Sequence, residues 1–176
     1  FIPSRTGVSL RKGWQYHTSA IANDIESLFS YNAAAPANNK LFAASNGDIY
    51  DVTTGTPSVS QASTGSTEDI WITTQFSNSA GTYLLAVSPG AGYWTFDGTS
   101  WTQQSVSGLP TDLTSVAVWK NRVWFTADND SSVYYLGHVD AITGSATEFV
   151  MGPLLRNGGY VRAIVNWTLD AGVGVD

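Results

Sequence analysis

The 176-residue chain has only 12% charged residues, a formal net charge of −6 and no cysteine. A chain of this length can bury about two-thirds of its unfolded surface and form one sizeable domain without disulfide bonds. The lack of cysteine excludes thiolate catalysis and zinc–cysteine sites. The net negative charge argues against a protein that wraps nucleic acid, because neutralising phosphates requires clustered Lys and Arg. No apolar segment reaches the ~20 residues of a membrane-spanning helix, so no membrane span is expected.

The chain divides into an irregular N-terminal segment, residues 1–26, and a region of short strands from residue 27 onward. In the second region, runs rich in β-branched and aromatic residues alternate with Gly, Asn, Asp and Pro, which is typical of strands and turns. Asn46-Gly47 and Lys120-Asn121 have the length of two-residue hairpin turns. We predict strands at 27–32, 40–45, 48–53, 57–63, 69–76, 82–88, 93–97, 101–106, 113–119, 122–127, 132–137, 147–151 and 160–169.

The strand pattern repeats along the chain. "LFAAS", "LLAVS" and "VWFTA" begin at residues 41, 84 and 123, each preceded by another strand-like run, and "YVRAIVNWTL" begins a further round. A unit of about 40–45 residues with four short strands is typical of a β-propeller blade. We therefore predict an all-β fold of propeller-like blades, with about three blades plus the first strand of a further one in residues 27–176. A β-sandwich is the alternative, and because a closed propeller usually has at least four blades, we expect a longer polypeptide.

The tryptophans fit the interior of such a repeat. A single four-stranded sheet leaves both faces in water, so blades must stack face to face with large side chains between them. We predict this packing role for Trp71, Trp94, Trp101, Trp119 and Trp124. The alternative is an exposed platform that stacks on sugar rings, which would favour a carbohydrate-binding propeller if Trp94 and Trp101 were exposed together.

Two aspartates, Asp51 and Asp97, fall at similar points of the repeat. Paired carboxylates are the catalytic groups of glycosidases. Each aspartate, however, follows an aromatic residue and precedes a Gly-containing turn. We therefore predict that both carboxylates bond to the backbone of their own turns.

Three other features have both a functional and an ordinary structural interpretation. The histidines, His17 and His138, would need to meet a carboxylate to form a catalytic or metal site. Residues 128–132, "DNDSS", present alternating oxygen ligands for Ca²⁺ but lack the glycine and distal glutamate of an EF-hand loop. We interpret all three features as turn or surface residues. The sequence thus predicts no catalytic, cofactor-binding or metal-binding residue, and no enzyme.

Seven segments spread over the whole chain form a recognisable series: "FIPSRTGVSLRKG", "LFAASNGDIYDVT", "YLLAVSPGAG", "FDGTSW", "VWKNRVWF", "YYLGHVDAITGSATEF" and "GPLLRNGGYVRAIVNWTLDAGVGVD". In these segments the chain resembles a family of virion structural proteins of tailed phages and prophages. Members of this family resemble the tubular tail or nozzle proteins of short-tailed phages. The resemblance implies no catalytic residues.

The resemblance implies a tail or head–tail nozzle component that forms part of a conduit for DNA ejection. Its expected partners are portal or adaptor and tail proteins, further copies of itself in a ring, and double-stranded DNA in transit without sequence-specific binding. Its expected location is the virion tail, after assembly in the bacterial cytoplasm. The alternative function is a carbohydrate-binding β-propeller that acts in host adsorption.

A DNA conduit would work best with few phosphate-binding traps on its wall. We therefore expect loop aspartates to face the channel. A channel lined instead by the chain's cations would contradict this expectation; the cations concerned are Arg5, Arg11, Lys12, Arg122, Arg156 and Arg162.

Overall fold

The computed structural model describes residues 2–4, 7–9, 13 and 15–166, with only the backbone described for the first two ranges. This part of the chain is all-β, with two single turns of 3₁₀ helix at Pro36–Asn38 and Gly152–Leu154 and no α-helix. Its strands are β1 (Ile2–Ser4), β2 (Gly7–Ser9), β3 (Ser27–Tyr31), β4 (Lys40–Ser45), β5 (Asp48–Asp51), β6 (Ser58–Gln61), β7 (Ile72–Asn78), β8 (Gly81–Ser88), β9 (Gly92–Phe96), β10 (Trp101–Gln103), β11 (Leu113–Trp119), β12 (Arg122–Ala127), β13 (Ser132–Leu136) and β14 (Ala146–Val150).

Twelve of these strands form three antiparallel four-stranded sheets, and within each sheet the spatial order follows the chain order. The first sheet is β3–β6, the second is β7–β10 and the third is β11–β14. β1 and β2 pair separately as a short hairpin. Each sheet is thus a meander of consecutive strands, which needs only short connections.

Two-residue turns fix the register of two hairpins. Asn46 and Gly47 connect β4 to β5, and Lys120 and Asn121 connect β11 to β12. All four residues have positive φ, between 47° and 80°. Positive φ at both central positions is the requirement of a type I′ turn, whose twist matches that of the flanking strands. Both turns confirm the predicted hairpins.

The second sheet is covered on both faces. One apolar core joins it to the first sheet and contains Phe42, Phe96 and Trp101. A second core joins it to the third sheet and contains Leu85, Val87 and Phe125. Because successive side chains of a strand point to opposite faces, Leu84 and Leu85 of β8 enter different cores. The sheets therefore pack in chain order, first on second and second on third.

The strand register defines equivalent positions in the three sheets. Tyr31 pairs with Lys40, Phe76 with Tyr83 and Trp119 with Arg122. In each case the partner is the residue immediately before the run that begins at 41, 84 or 123. The residues Tyr31, Phe76 and Trp119 therefore occupy one position of the repeat. Two rungs further along each ladder, on the same face, Phe42, Leu85 and Trp124 occupy a second equivalent position.

This register corrects one alignment made from the sequence. In the first sheet, Asp51 pairs with Phe42. The residue equivalent to Phe42 in the second sheet is Leu85, and Leu85 pairs with Thr95. Asp97 lies two residues beyond Thr95, so the two aspartates are not equivalent. The mismatch arises because β5 ends at Asp51, while β9 continues to the residue before Asp97.

The predicted all-β class is confirmed, and most predicted strands lie within a few residues of the observed ones. The prediction of a strand at 160–169 is wrong for residues 160–166, which have no regular structure, and the rest of that range lies outside the described residues. The segment predicted as irregular contains the β1–β2 hairpin. The packing prediction holds for Trp71, Trp94 and Trp101, which are buried, but not for Trp119, which is 52% exposed.

Candidate functional site

The outward face of the third sheet carries a group of exposed and half-buried aromatic side chains, which we call the aromatic face: Trp119, Trp124, Tyr135 and Phe149. Cross-strand pairing places Trp124 beside Tyr135, with ring centroids 4.8 Å apart. Trp119 lies 6.1 Å from Trp124 on the other side. Trp119 and Phe149 remain about half exposed. Tryptophan and tyrosine exposed together on a flat sheet can bind either an apolar protein surface or a sugar ring.

Two cations border the aromatic face. The Nζ of Lys120 lies 4.9 Å from the centroid of the Trp119 ring, and the guanidinium carbon of Arg122 lies 5.1 Å from that of Tyr135. These cation–π contacts place positive charge on this face of an acidic chain. The aromatic face is therefore an apolar surface bordered by positive charge, a combination that the sequence pattern did not reveal.

Residues 161–166 cross the same face and leave an apolar groove of about 610 Å³ beneath them, lined in part by Trp124, Val133 and Phe149. The segment is held by hydrogen bonds from the Val161 amide to the Asp130 carbonyl and from the Asn166 side-chain amide to the Val118 carbonyl. The groove thus lies between the third sheet and the chain that leaves it.

Asp97 has the structural role predicted for it. Its Oδ1 accepts hydrogen bonds of 2.8 Å from the amides of Thr99 and Ser100, which closes the turn between β9 and β10. The hydrogen bonds from Ser100, and then from Thr99, hold the pKa of the Asp97 carboxyl below its usual value, against the opposing effect of partial burial. A low carboxyl pKa suits a permanent acceptor and not a general acid.

Asp51 also bonds within its own turn and, in addition, forms an ion pair. Its Oδ1 accepts a hydrogen bond from the Thr53 amide, and its Oδ2 lies 2.8 Å from Nζ of Lys40. Partial burial acts to raise the pKa of the Asp51 carboxyl, but the bonds from Lys40 and Thr53 together lower it. Both aspartates therefore stabilise turns, and they occupy different sheets.

Residues 128–131 connect β12 to β13, as the turn interpretation predicted, and Ser132 is the first residue of β13. Asp130 accepts hydrogen bonds from the Ser132 amide and the Tyr134 hydroxyl. The Tyr134 bond lowers the pKa of the Asp130 carboxyl, and burial with the same bond raises the pKa of the Tyr134 phenol. Asp128 pairs with Arg162 at 3.2 Å. These carboxylates already have protein partners and do not converge on one point.

The two histidines lie in different parts of the fold. The Nε2 of His17 is 2.6 Å from the Val52 carbonyl of the first sheet, whereas His138 follows β13 in the third. Over residues 2–4, 7–9, 13 and 15–166, no three His, Asp or Glu side chains cluster closely enough to hold a metal ion.

Asp69 is a buried aspartate to which the sequence pattern gave no role. It is 7% exposed, has a φ of 52°, and lies where the first sheet meets the second. Its Oδ2 accepts a 2.8 Å bond from the Gly47 amide, and its carbonyl accepts one from the Ser27 hydroxyl. Asp69 therefore holds the connection that leads into the second sheet against the first sheet. Nothing in the local sequence signals this, because its partners are 22 and 42 residues away.

The fold and these side chains define an all-β protein built from repeated four-stranded antiparallel sheets, with its most distinctive surface on the third sheet. Comparison with protein-family models, curated proteins and solved structures finds no match to this chain. None of the helical segments in the described part of the chain has the length and apolar character needed to cross a membrane.

Proposed function

We propose that the protein is a structural component of a phage virion, in the tail or the head–tail nozzle, and that its three sheets are blades of a propeller. The observation that carries this proposal is the repeated sheet, packed in chain order with the second sheet covered on both faces. Such an array supplies a stiff wall with extended faces for assembly and requires no reactive site.

The placement of the first strands supports the propeller over the sandwich. Asn32, the residue after β3, and Gln75 of β7 exchange two hydrogen bonds of 2.8 and 2.9 Å. β7 in turn packs against β11. In a propeller, the first strands of successive blades lie side by side around a central channel. A two-sheet sandwich has no such third neighbour.

The charges near these strands are compatible with DNA passage. Asp24, Asp69 and Asp112 each lie within three residues of the start of a first strand, and Asp24 and Asp112 are exposed. Carboxylates at the mouth of a channel would repel phosphates and prevent tight binding. Of the opposing cations, Arg162 is paired with Asp128 and Arg122 lies over Tyr135.

The proposal is tested by locating the protein in intact particles. Antibodies raised against the chain should label the tail or neck of phage particles, and the assembled protein should form rings in electron micrographs. Absence of labelling, together with a monomer that forms no rings, would overturn it.

The second candidate is a carbohydrate-binding propeller for host adsorption, and the aromatic face favours it. Trp94 and Trp101, for which the sequence raised this role, are 6% and 7% exposed and therefore cannot stack on a sugar. Exposed Trp119 with nearby Tyr135 could do so. Binding to a glycan array that is lost in Trp119→Ala would establish this function in place of the first.

A further inference from the structure

Two positions of the aromatic face, those of Trp119 and Trp124, correspond to positions that the first and second sheets bury against their successors. Tyr31 and Phe76 are each 5% exposed and belong to the two inter-sheet cores. Trp119, at the equivalent position, is 52% exposed. Two rungs along on the same face, at positions equivalent to Trp124, Phe42 and Leu85 are completely buried. The third sheet thus presents the same kind of surface, and no sheet within the described part of the chain covers it.

The segment that leaves the third sheet runs past the first strand of that sheet, β11. The segment that leads from the first sheet into the second runs past β3 in a similar way. In the first sheet, the Ser27 hydroxyl donates to the Asp69 carbonyl at 2.7 Å and accepts from the Trp71 amide at 2.8 Å. Ser115 is the equivalent residue of the third sheet. Ser27 pairs with Ala44 and Ser115 pairs with Thr126, and Ala44 and Thr126 occupy the same position of the repeat.

The Ser115 hydroxyl contacts both the carbonyl and the amide of Ile164, each at 3.5 Å. Ile164 therefore lies beside Ser115 much as residues 69–71, which lead into β7, lie beside Ser27. Residues 164–166 accordingly occupy the place of a segment that leads into a further first strand.

From these two correspondences we infer that the aromatic face is an internal interface, covered by a fourth four-stranded sheet of the same polypeptide that is entered through residues 164–166. The facing side of this sheet would carry large apolar side chains, as Leu84 and Phe96 do toward the first sheet and Val123 and Phe125 do toward the second. The inference rests on the propeller-like repeat that the proposed function also uses, but not on the virion role.

The absence of cysteine allows a single thiol to report on this face. The test compares the W119C variant of the 176-residue chain with W119C in a chain extended along its own reading frame by about 45 residues, the length of one repeat. V59C is the matched control, because Val59 is 54% exposed and lies on the first sheet, away from the third.

Thiol labelling by a maleimide should proceed at similar rates for W119C and V59C in the 176-residue chain. In the extended chain, W119C should react at least about tenfold more slowly, because labelling then requires local opening, while V59C keeps its rate. Equal W119C rates in the two chains would overturn the inference, as would a reading frame too short for another sheet.

Two other occupants of the face give distinct results, and either would overturn the inference. A second copy would protect W119C in the 176-residue chain as protein concentration rises, with a dimer mass in solution. A glycan would protect it when oligosaccharide is added. A protein that immunolabelling places outside the virion would overturn the proposed function and leave the thiol result unchanged.

Discussion

Phe76 and Trp119 occupy the same position of successive sheets, yet Phe76 is 5% exposed and Trp119 is 52% exposed. Phe76 packs between the second and third sheets, whereas Trp119 lies on the outward face of the third sheet beside the Lys120 side chain. One position of the repeat therefore has two energetic roles, since the free energy gained from an apolar side chain depends on the area it removes from water.

This difference predicts unequal costs of truncation. Phe76→Ala should lower the free energy of unfolding by about 3–5 kcal/mol, because it removes a buried ring and leaves a cavity. Trp119→Ala should lower it by no more than about 1 kcal/mol. Urea unfolding followed by circular dichroism measures both. If Phe76→Ala does not fold, Phe76→Leu gives the same comparison with a smaller loss, and similar losses at the two sites would contradict the prediction.

Asp97 should give the protein a pH-dependent component of stability. Its pKa is lower in the folded protein than in the unfolded chain, so the carboxylate stabilises the fold above the unfolded pKa, and this contribution is lost as pH falls through the folded pKa. Asp97→Asn keeps an acceptor oxygen but removes the titration. The parent should therefore be more stable than Asp97→Asn at pH 6, and the difference should shrink toward pH 3.

Asp97→Ala separates the hydrogen bonds from the charge. It leaves the amides of Thr99 and Ser100 without their acceptor and should cost about 0.5–2 kcal/mol near neutral pH, more than Asp97→Asn. Thermal unfolding at several pH values distinguishes the three proteins. A stability gap between parent and Asp97→Asn that widened on acidification would contradict the assigned role.

The strands could be predicted where local rules and tertiary packing agree. β4 and β11 end and β12 begins where predicted, because strand-forming residues meet two-residue turns that contain Asn or Gly. Residues 160–166 contain the same strand-forming residue types but have no strand partner among the described residues. A strand requires a neighbour to accept its hydrogen bonds, and the sequence of one segment carries no information about that neighbour.

The candidate site was less predictable than the fold. The turn roles of Asp51 and Asp97 follow from residues two or three positions away, so the sequence contains their partners. Asp69 depends on Gly47 and Ser27, which only the packed sheets bring near. The exposure of Trp119 likewise depends on which sheet lies opposite. From the sequence alone, a tryptophan at this position of the repeat looks like a buried residue.

Two glycines with positive φ should respond differently to alanine. Gly47 has a φ of 80°, and a Cβ added to it would meet no atom within 4 Å, so Gly47→Ala should cost only the conformational penalty of about 1–2 kcal/mol. Gly98 has a φ of 98°, and its Cβ would lie 2.9 Å from the Tyr31 hydroxyl. Gly98→Ala should therefore be the more damaging change in chemical denaturation.

Removing the Tyr31 hydroxyl tests the cause of that difference. Tyr31→Phe alone loses the 3.2 Å hydrogen bond to the Thr82 carbonyl and should cost about 1 kcal/mol. Combined with Gly98→Ala, it should cost less than the sum of the two single changes, because the clash is with the deleted oxygen. Simple additivity of the two losses would exclude the contact as the source of the destabilisation.

The acidic entries to the first strands should keep DNA from binding to the assembled protein. Asp24 and Asp112 are exposed beside β3 and β11, so replacing both with Lys converts two repelling charges per subunit into phosphate contacts. The double variant should bind double-stranded DNA about tenfold or more tightly than the parent at 50 mM salt, with the gain falling steeply as salt rises.

The control for this change, Ser58→Lys with Thr102→Lys and Glu148→Lys, adds the same net charge on the last strands of the sheets. Gel-shift titrations compare the three proteins, and nuclease digestion reports whether bound DNA is enclosed. A channel lined by the first strands requires tighter binding and greater nuclease protection for the double variant than for the control. Equal binding and equal digestion would show that only net charge matters and would remove the charge argument for a conduit.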